Sequence, residues 1–351
     1  MTVLALIGAC IGLVTGVGIG LRWLRAGVVS VGTVLGVAAL VAGLVLLVWG
    51  IWRIGHRTTR WARFAARSLV VLLAAVVVWI LSPALIATNV PPLQHTRTPD
   101  DFGLTAEEVR FEAEDGTEMF AWYVPPTEGK VAVLRHGAGS TASQVLSHAR
   151  VLVDNGYGVL ATDARGHGLS EGIGMDFGWF GDADIASAVG FLIGQPEVDP
   201  NRIVVVGLSM GGEEAIGGIG SDPRIAAVVA EGASARTEED KIWLADVYGW
   251  RGRLQVGLEW LQYAFTAALT EAPQPVPLAE AAKSAAPRPI LLIAAGERPD
   301  ETEAACHIAE ASDGNVSVWT IPGADHVGGL AIAPDEWEAK AVGFLETALG
   351  D

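Results

Sequence analysis

A serine between glycines is the residue whose type and spacing could most clearly do chemistry in this sequence. Ser209 lies in the run GLSMGG (207–212), after the apolar segment RIVVVG (202–207) and before a segment typical of a helix. A serine on such a tight strand-to-helix turn exposes its hydroxyl, and Gly207 and Gly211 remove side chains that would clash there. The amino end of the helix favours the negative charge that develops when the hydroxyl attacks. The pattern predicts a nucleophilic serine, and a purely structural turn serine is the alternative.

A serine hydroxyl is a weak nucleophile at neutral pH and needs a base. Among the seven histidines, His326 lies in IPGADHVGGL, after the last predicted strand and before the closing helix. That position satisfies the chain order serine, acid, histidine. His136 and His167 lie in tight glycine-flanked turns, and we interpret His136 as a residue that braces its turn. The sequence therefore predicts His326 as the general base for Ser209.

A third residue must hold and orient the imidazole. It is expected just after the predicted strand PILLIAAG, where the segment GERPDE offers Glu297, Asp300 and Glu301. We choose Asp300 and leave the other two acids open as alternatives. Asp325, the neighbour of His326 in the chain, is disfavoured because adjacent side chains in a loop point apart.

A tetrahedral intermediate on Ser209 would need two backbone N–H donors for its oxyanion. One is expected from Met210, the residue that follows the nucleophile. The other is expected from Ala138 in the segment RHGAGS, because Gly137 and Gly139 on either side let the chain approach closely.

From Glu108 onward, short β-rich segments alternate with segments typical of helices. The predicted strands are 109–113 and 118–124, which form a hairpin, and then 131–137, 158–168, 202–207, 224–232, 289–296 and 315–323. The predicted helices are 142–155, 182–194, one from 210, 301–311 and 335–349. Continuous apolar strands that alternate with helices predict an α/β fold, with a mostly parallel, doubly wound sheet covered on both faces.

Residues 233–287 interrupt this alternation and are called the insertion below. They contain Trp243, Tyr248, Trp250 and Trp260 in helix-compatible sequence. An insertion at this point of a parallel sheet would lie over the carboxyl ends of the strands, where ligands bind. We therefore predict a helical lid, and an extra packing layer without contact to a substrate is the alternative.

Three apolar stretches open the sequence, at about 3–21, 28–52 and 69–88, and none contains a charged residue. Each is near or above the length that crosses the hydrocarbon core of a bilayer. A signal peptide followed by buried core helices is the alternative, but no basic residue precedes the first stretch. We predict a membrane anchor of three transmembrane helices over 1–89, a linker over 90–104 and the α/β domain over 105–351.

Charge is divided unevenly between these parts. Residues 1–89 contain seven arginines and no acidic residue, whereas all 40 acidic residues of the chain follow them. Five of the arginines lie in the loop 53–67, so we expect that loop in the cytoplasm. Residues 90–351 are then extracytoplasmic, in a multi-pass protein of the cell membrane. So acidic a domain would be repelled by phosphates, which argues against a nucleic-acid partner.

Glycines recur at four-residue spacing in the first apolar stretch, at Gly8, Gly12, Gly16 and Gly20. Small residues on one helical face let helix backbones approach closely in lipid. The spacing indicates either a compact three-helix anchor or a homo-oligomer formed through the transmembrane helices. In both cases the lipid bilayer is an expected partner.

Four motifs follow one another along the α/β domain: HGAGS (136–140), DARGHGLSEG (163–172), GLSMGG (207–212) and PGADH (322–326). With them, residues 105–350 resemble the α/β-hydrolase superfamily. Within it, DARGHGLSEG and SMGG resemble the serine aminopeptidase and prolyl-peptidase-like hydrolases, including membrane-anchored bacterial relatives. The resemblance implies the α/β-hydrolase fold, with Asp163, Arg165 and His167 in a structural turn. The chain departs from the family pattern Gly-x-x-Asp in the acid loop, where position 299 is Pro.

The resemblance also implies an activity: hydrolysis of an ester, thioester or amide through an acyl-enzyme on Ser209, with no cofactor and no metal. The two cysteines, Cys10 and Cys306, offer no zinc-type spacing. The expected substrate is a small acyl compound or a peptide. A serine peptidase of the same fold and a catalytically silent binding or scaffold protein are the alternatives. A role for Glu213 in binding a substrate amine is a further hypothesis.

Overall fold

The computed structural model describes residues 1–54 and 58–350, which form two compact units. The first unit comprises Met1–Pro91 together with Gly257–Glu271, and the second comprises Pro92–Val256 and the residues from Ala272 onward. The chain therefore divides close to the predicted boundary at 89–90. The segment Gly257–Glu271 differs from the expectation, which assigned all of 105–351 to one domain. Its apolar side chains belong with the apolar helices of the first unit.

The first unit is built from the N-terminal helices. These are α1 (Thr2–Thr15), a π-helical segment (Gly16–Leu21), α2 (Arg22–Arg25), α3 (Val31–Arg53) and α4 (Arg60–Thr88). They provide three continuous helices, Thr2–Arg25, Val31–Arg53 and Arg60–Thr88, that are long and apolar enough to cross a membrane. The three predicted membrane helices are thus present as candidate spans.

The third of these helices begins earlier than its apolar stretch. The side chain of Thr59 accepts a hydrogen bond from Ala62 N at 3.3 Å and so caps the helix. As a result, Arg63 and Arg67 lie on the helix and not in a loop. Of the predicted loop 53–67, residues 55–57 lie outside the described residues.

Glycines let the first and second of these helices approach closely. A Cβ on Gly12 would lie 2.5 Å from Ala39 O, and one on Gly20 would lie 2.5 Å from Gly36 C. The small-residue face predicted from the four-residue spacing is therefore used for helix packing within the chain. A homo-oligomer formed through these helices stays a prediction.

The second unit contains an eight-stranded sheet in the order β1-β2-β4-β3-β5-β6-β7-β8. The strands are β1 (Glu107–Glu112), β2 (Glu118–Val124), β3 (Val131–Arg135), β4 (Gly158–Thr162), β5 (Ile203–Leu208), β6 (Ile225–Glu231), β7 (Ile290–Ala295) and β8 (Val316–Ile321). The pairings β1–β2 and β2–β4 are antiparallel, and all others are parallel. The mostly parallel sheet expected from the continuous apolar strands is confirmed.

Helices cover both faces of this sheet. The helices that follow β3 in the chain are α5 (Leu146–Asp154), α6 (Gly181–Ile193), α7 (Met210–Ser221), α8 (Leu244–Tyr248), α9 (Trp250–Leu269), α10 (Leu278–Ser284), α11 (Pro299–Ala311), α12 (Gly329–Ile332), α13 (Pro334–Trp337) and α14 (Gly343–Leu349). On one face α6, α7, α10 and α11 contribute to the core, for example with Ile185 and Ile216. On the other face α5 and the closing helices do so, with Leu152 and Trp337. The doubly wound α/β architecture is confirmed.

The insertion is not one lid. The helix α8 and the first half of α9 belong to the second unit, and the second half of α9 belongs to the first. The helix α10 packs on α7 so closely that a Cβ on Gly220 would lie 2.6 Å from Ala281 O. Because Leu278, Ala281 and Ala282 are buried, the last part of the insertion is a core layer, the alternative considered for the whole segment.

Candidate active site

The turn that carries Ser209 has the strained geometry that its sequence predicts. Ser209 lies between β5 and α7 with φ 54° and ψ −121°, in a region that residues with side chains rarely adopt. A Cβ on Gly207 would lie 2.0 Å from Gly211 O, and one on Gly211 would lie 2.5 Å from Arg135 O. Only glycine fits at either position. The Ser209 N–H donates to Glu231 O at 2.7 Å, which ties the turn to the end of β6.

His326 stands next to Ser209, although 117 residues separate them in the chain. Its Nε2 lies 2.9 Å from Oγ of Ser209. The ring is carried by the loop after β8 and lies against the main chain that follows β6, where a Cβ on Gly232 would be 3.0 Å from the imidazole Cε1. The side chain of His326 remains 41% exposed, so the contact is accessible from solvent.

The acid that contacts His326 is Glu301 and not Asp300. Oε1 of Glu301 lies 2.6 Å from Nδ1 of His326. Asp300 instead accepts a hydrogen bond from the hydroxyl of Tyr248, in the insertion, at 2.5 Å. Both acids lie in the first turn of α11, which begins at Pro299, and consecutive residues of a helix point about 100° apart. Only one of them can face the imidazole, so the choice of Asp300 is wrong for this contact.

The other acids near the ring have different partners. Oδ1 of Asp325 accepts from Nε of Arg298 at 2.5 Å and from the backbone N–H of His326 at 2.8 Å. It therefore holds the loop and does not touch the ring nitrogens. Glu297 is exposed, and its backbone N–H donates to Ala324 O at 3.0 Å.

The partners of His326 set its protonation. The hydrogen bond that Nδ1–H of His326 donates to Glu301 raises the pKa of His326 above its ordinary value, burial lowers it, and the negative charge of Glu301 raises it further. Glu301 is buried, and its second oxygen accepts from Ala295 N at 3.1 Å. A carboxylate fixed in this way favours the imidazolium and orients the ring.

The predicted oxyanion donors are available. Neither Ala138 N nor Met210 N donates to another group in the part of the chain that the structure describes. Gly137 N, by contrast, donates to Oε1 of Gln144 at 2.8 Å. A Cβ on Gly137 would lie 3.1 Å from Cβ of Ser209, so the loop that carries Ala138 passes directly beside the nucleophile.

Two histidines and an aspartate hold this loop. Nε2 of His136 accepts from Ala164 N at 2.9 Å, and burial, the largest cause, lowers the pKa of His136 to about 3, so the ring is a neutral acceptor. Nε2 of His167 accepts from Gly139 N at 3.0 Å. Asp163 is fully buried and accepts from Ala142 N, just after the segment 136–140 that we call the oxyanion loop, and from Leu169 N in its own turn, both at 2.8 Å. The interpretation of His136 as a turn-bracing residue agrees with these contacts.

Two residues that hold the site were missed by the sequence reasoning. Gln144 fixes the oxyanion loop, and nothing in its spacing marks it. The buried carboxylate of Glu231 accepts from Gly329 N at 2.7 Å and from Nε1 of Trp337 at 3.0 Å. It thereby fixes the segment just after His326. An acid at the end of the apolar strand AAVVAEG is a signal that could have identified Glu231.

Glu213 holds the start of the insertion. Its Oε1 accepts from Ser234 N at 3.1 Å and from Ala235 N at 2.9 Å. Burial raises the pKa of Glu213, and these two hydrogen bonds oppose that rise. Glu213 thus has a structural role where the chain leaves β6, in place of the hypothesised role in binding an amine.

A cavity of about 540 Å³ lies beside Glu301. Its walls come from the insertion, including Trp243 and Tyr248, and from the segment after β7, including Arg298. A volume of this size is typical of small-ligand sites. Although Ser209 is not among its lining residues, the first part of the insertion does line a cavity at the acid side of the site, as a lid would.

The arrangement as a whole can activate a hydroxyl and stabilise an oxyanion. A serine that contacts an imidazole, itself held by a carboxylate, can lose its proton to the ring as it attacks. Two amides beside it can receive the charge that forms on a carbonyl oxygen. Across residues 1–54 and 58–350, no three His, Cys, Asp or Glu side chains are grouped as a metal ion would require.

Known proteins match the core of this chain in sequence. Residues 126–281 match the family model described as serine aminopeptidase, S33. The uncharacterized protein YfhR of Escherichia coli (strain K12) is 30% identical over 139 residues, which are 37% of this chain and 48% of YfhR. The alpha/beta hydrolase domain-containing protein WAV2 of Arabidopsis thaliana is 31% identical over 120 residues, 33% of this chain and 38% of that protein. The chain thus spans about half the length, or less, of these curated relatives.

Solved structures match it in fold. The esterase Pf2001 of Pyrococcus furiosus superimposes with a TM-score of 0.57 at 26% identity, over 74% of this chain and 99% of the esterase. The esterase RhEst1 of Rhodococcus sp. ECU1013 has a TM-score of 0.51 at 17% identity, over 69% and 99% of the two chains. The match to RhEst1, at 17% identity, bears on the fold alone. With the sheet order and the family match, the conclusion is that this chain has the α/β-hydrolase fold and is similar over residues 126–281 to the serine aminopeptidases of family S33.

Proposed function

We propose that this protein is a membrane-anchored serine hydrolase that cleaves an acyl ester or thioester through an acyl-enzyme on Ser209. One observation carries the proposal: Ser209, His326 and Glu301 form a continuous hydrogen-bonded series that is accessible from solvent. Beside it stand the amides of Ala138 and Met210, which have no acceptor among the described residues. A structural turn serine would not require this set of partners.

The first half of the reaction forms the acyl-enzyme. Nε2 of His326 takes the proton of the Ser209 hydroxyl as Oγ attacks the acyl carbon. Negative charge then develops on the carbonyl oxygen, where the amides of Ala138 and Met210 donate to it. The carboxylate of Glu301 stabilises the imidazolium. When the intermediate collapses, His326 gives the proton to the leaving alcohol or thiol, and the acyl group stays on Oγ.

The second half releases the acid. Water enters the site, and Nε2 of His326 takes a proton from it as the water oxygen attacks the acyl carbon. The same two amides stabilise the second oxyanion. His326 then returns the proton to Oγ of Ser209, so that a carboxylic acid leaves and the free serine is restored.

An ester or thioester is favoured over an amide for two reasons. The first is that Pf2001, which is 26% identical to this chain, carries the name esterase. The cavity beside Glu301 is walled partly by aromatic side chains of the insertion, Trp243 and Tyr248, and such side chains suit apolar acyl groups. The anchor is proposed because three helices of bilayer length precede the hydrolase unit.

The decisive experiment is active-site labelling followed by a substrate series. The full chain, purified in detergent, is treated with a fluorophosphonate probe, and p-nitrophenyl esters of increasing chain length are then compared with aminoacyl anilides. We expect labelling of the wild type, none of Ser209→Ala, and turnover of the esters. Ser312→Ala, a serine whose hydroxyl donates to Ala309 O at 2.7 Å on α11, is the control and should label normally. A wild type that does not label, or a Ser209→Ala variant that labels equally, would contradict the proposal.

A serine peptidase is the second candidate. The observation that favours it is the match of residues 126–281 to a family model described as serine aminopeptidase. The chemistry is the same, with an amine as the leaving group, so only the substrate series separates the two. Aminoacyl anilides turned over with a higher kcat/KM than every p-nitrophenyl ester would establish the peptidase.

A further inference from the structure

The second half of α9, by which we mean its residues from Gly257 onward, is not part of the core of the second unit and has no role in the proposed chemistry. Residues 260–270 (WLQYAFTAALT) contain no charged side chain and are bracketed by Glu259 and Glu271. The first half of the helix, in contrast, carries Arg251 and Arg253. An uncharged stretch of this length is too short to cross a bilayer but is typical of a segment that enters one partway.

This half of α9 contacts α4 far from the end of that helix. Nε2 of Gln262 donates to the backbone oxygen of Trp79 at 3.4 Å. Trp79 lies nine residues before Thr88, where α4 ends, and at a rise of 1.5 Å per residue this is about 14 Å along the axis. The hydrocarbon core of a bilayer is about 30 Å thick. Gln262 therefore lies beside the apolar span itself and not beside its end.

An apolar groove of about 510 Å³ lies between α1, α4 and this half of α9. Each helix contributes apolar side chains to it, including Ile7, Cys10, Leu81, Leu85, Phe265 and Leu269. No lining residue carries a charge. The volume of this groove lies in the range of ligand sites.

The same half of α9 presents large apolar side chains to its surroundings. Trp260 is 52% exposed, Phe265 42% and Leu269 54%, whereas Tyr263 and Thr266 are buried. A contiguous exposed apolar surface marks a contact with a membrane or a partner. Its continuity with three helices of bilayer length favours the membrane.

We infer that residues 260–270 are embedded in the bilayer and that the groove they form with α1 and α4 binds an acyl chain of a membrane lipid. The inference rests on the membrane anchoring in the proposed function. A helical segment satisfies its own backbone hydrogen bonds and so can enter lipid. The uncharged lining suits a hydrocarbon chain and offers nothing to a headgroup.

Depth is tested with single cysteines that carry a bimane fluorophore, in the full chain reconstituted into phosphatidylcholine vesicles with brominated acyl chains. Leu269→Cys is the test site, and Leu72→Cys, which is 60% exposed on α4, is the control for a position in the bilayer. Both variants also carry Cys10→Ala and Cys306→Ser, so that each has a single cysteine. The control for a position in water is the native Cys306, which is exposed on α11 and is labelled in the Cys10→Ala variant. We expect strong quenching at Leu269→Cys and Leu72→Cys and little at Cys306.

The possible outcomes distinguish the embedded second half of α9 from the membrane anchor proposed above. Quenching at Leu72→Cys without quenching at Leu269→Cys overturns the embedded helix and leaves the anchor in place. No quenching at Leu72→Cys overturns the anchor and the inference together. Fluorophosphonate labelling of Ser209 in each variant checks that the hydrolase unit is folded and reports on its activity separately.

The occupant of the groove is tested with phosphatidylcholine that bears a diazirine on its acyl chain. The yield of photocrosslinks at Phe265 is compared between the wild type and two variants. Ile7→Trp fills the groove, and Leu4→Trp is the control because it alters an exposed residue of α1 outside the groove lining. We expect the yield at Phe265 to fall several-fold in Ile7→Trp alone. Equal yields in all three overturn the acyl-chain site. Efficient disulfide formation between the Cys10 thiols of two copies also overturns it, because a second copy would then cover the groove.

Discussion

The site depends on which of two adjacent carboxylates faces His326. Glu301 contacts Nδ1 of the imidazole at 2.6 Å, while Asp300 accepts from the hydroxyl of Tyr248 at 2.5 Å. Both acids are in the first turn of one helix, so their different directions arise from the rotation of α11 and not from their chemistry. Asp300 can therefore serve as the control in experiments that test what the carboxylate of Glu301 does.

Replacing Glu301 should disable the base, whereas replacing Asp300 should not. In Glu301→Gln the imidazolium loses its countercharge and the ring loses its orientation, so we expect kcat on a p-nitrophenyl ester to fall by about 10³- to 10⁴-fold. Asp300→Asn removes a charge one residue away and should reduce kcat far less. Steady-state kinetics of the two variants measures this loss of kcat, and an equal loss in both would mean that the hydrogen bond from His326 to Glu301 has no catalytic role.

The pH dependence should carry the same signature. The neutral imidazole is the form that accepts the proton of Ser209, and Glu301 raises the pKa of His326. As the pH is lowered, kcat/KM of the wild type should therefore begin to fall at a pH above the ordinary histidine pKa of about 6.5. In Glu301→Gln the largest cause of the rise is gone, so the acid limb of the residual activity should move to lower pH. Asp300→Asn should keep the wild-type limb. An acid limb that stays in place in Glu301→Gln would contradict the assignment.

At the scale of elements, a buried ion pair joins β3 to α7, the strand before the oxyanion loop and the helix after the nucleophile. Nε of Arg135 donates to Oε2 of Glu214 at 2.7 Å, and Nη2 of Arg135 lies 2.6 Å from the same oxygen. Both side chains are almost wholly buried. The pKa of Glu214 is raised to about 7, because burial raises it more than the charge of Arg135 lowers it. The pair links the two elements that must stay in register for Ser209 to lie beside Ala138.

Removing one partner of this ion pair should lower the free energy of unfolding more than removing both partners. Glu214→Leu leaves the Arg135 guanidinium buried and unpaired, so we expect the free energy of unfolding to drop by about 3–5 kcal/mol. Arg135→Met combined with Glu214→Leu removes both charges and should recover most of that loss. Urea unfolding of the full chain in detergent, followed by fluorescence, measures both variants. A double variant no more stable than Glu214→Leu would argue against an unpaired charge as the cause.

Most of the sheet could be predicted because its central parallel strands are apolar runs bounded by turn residues, as in VAVL of β3 and IVVVG of β5. The turn at Ser209 and the position of His326 could be predicted because glycine spacing and chain order restrict them locally. The choice between Asp300 and Glu301 could not, because it depends on how α11 is rotated against the imidazole. Nor could the division of the insertion, since one helix, α9, contributes to two units and its sequence shows only that it is helical.

At the scale of the whole molecule, charge is the organising feature. The anchor helices carry arginines and no acids, and the rest of the chain carries every acid. Arg60, Arg63 and Arg67 lie in the first turns of α4, at the end of the helix away from the hydrolase unit along the chain. Cationic residues at the end of a membrane helix are retained on the cytoplasmic side. The hydrolase unit is then expected outside the cytoplasm.

This orientation should be readable from the native Cys306, which is exposed on α11. In intact cells we expect a membrane-impermeant maleimide to label Cys306, because the proposed orientation puts the second unit outside the cytoplasm. Burial, Glu303 and Glu310 raise the pKa of the Cys306 thiol, so the labelling is done at mildly alkaline pH, where more thiolate is present. Ala62→Cys, made on a Cys306→Ser background at an exposed position of the first turn of α4, should be labelled only after the cells are permeabilised. The reverse pattern would place the hydrolase unit in the cytoplasm, and labelling of both sites in intact cells would mean that α4 does not cross the membrane.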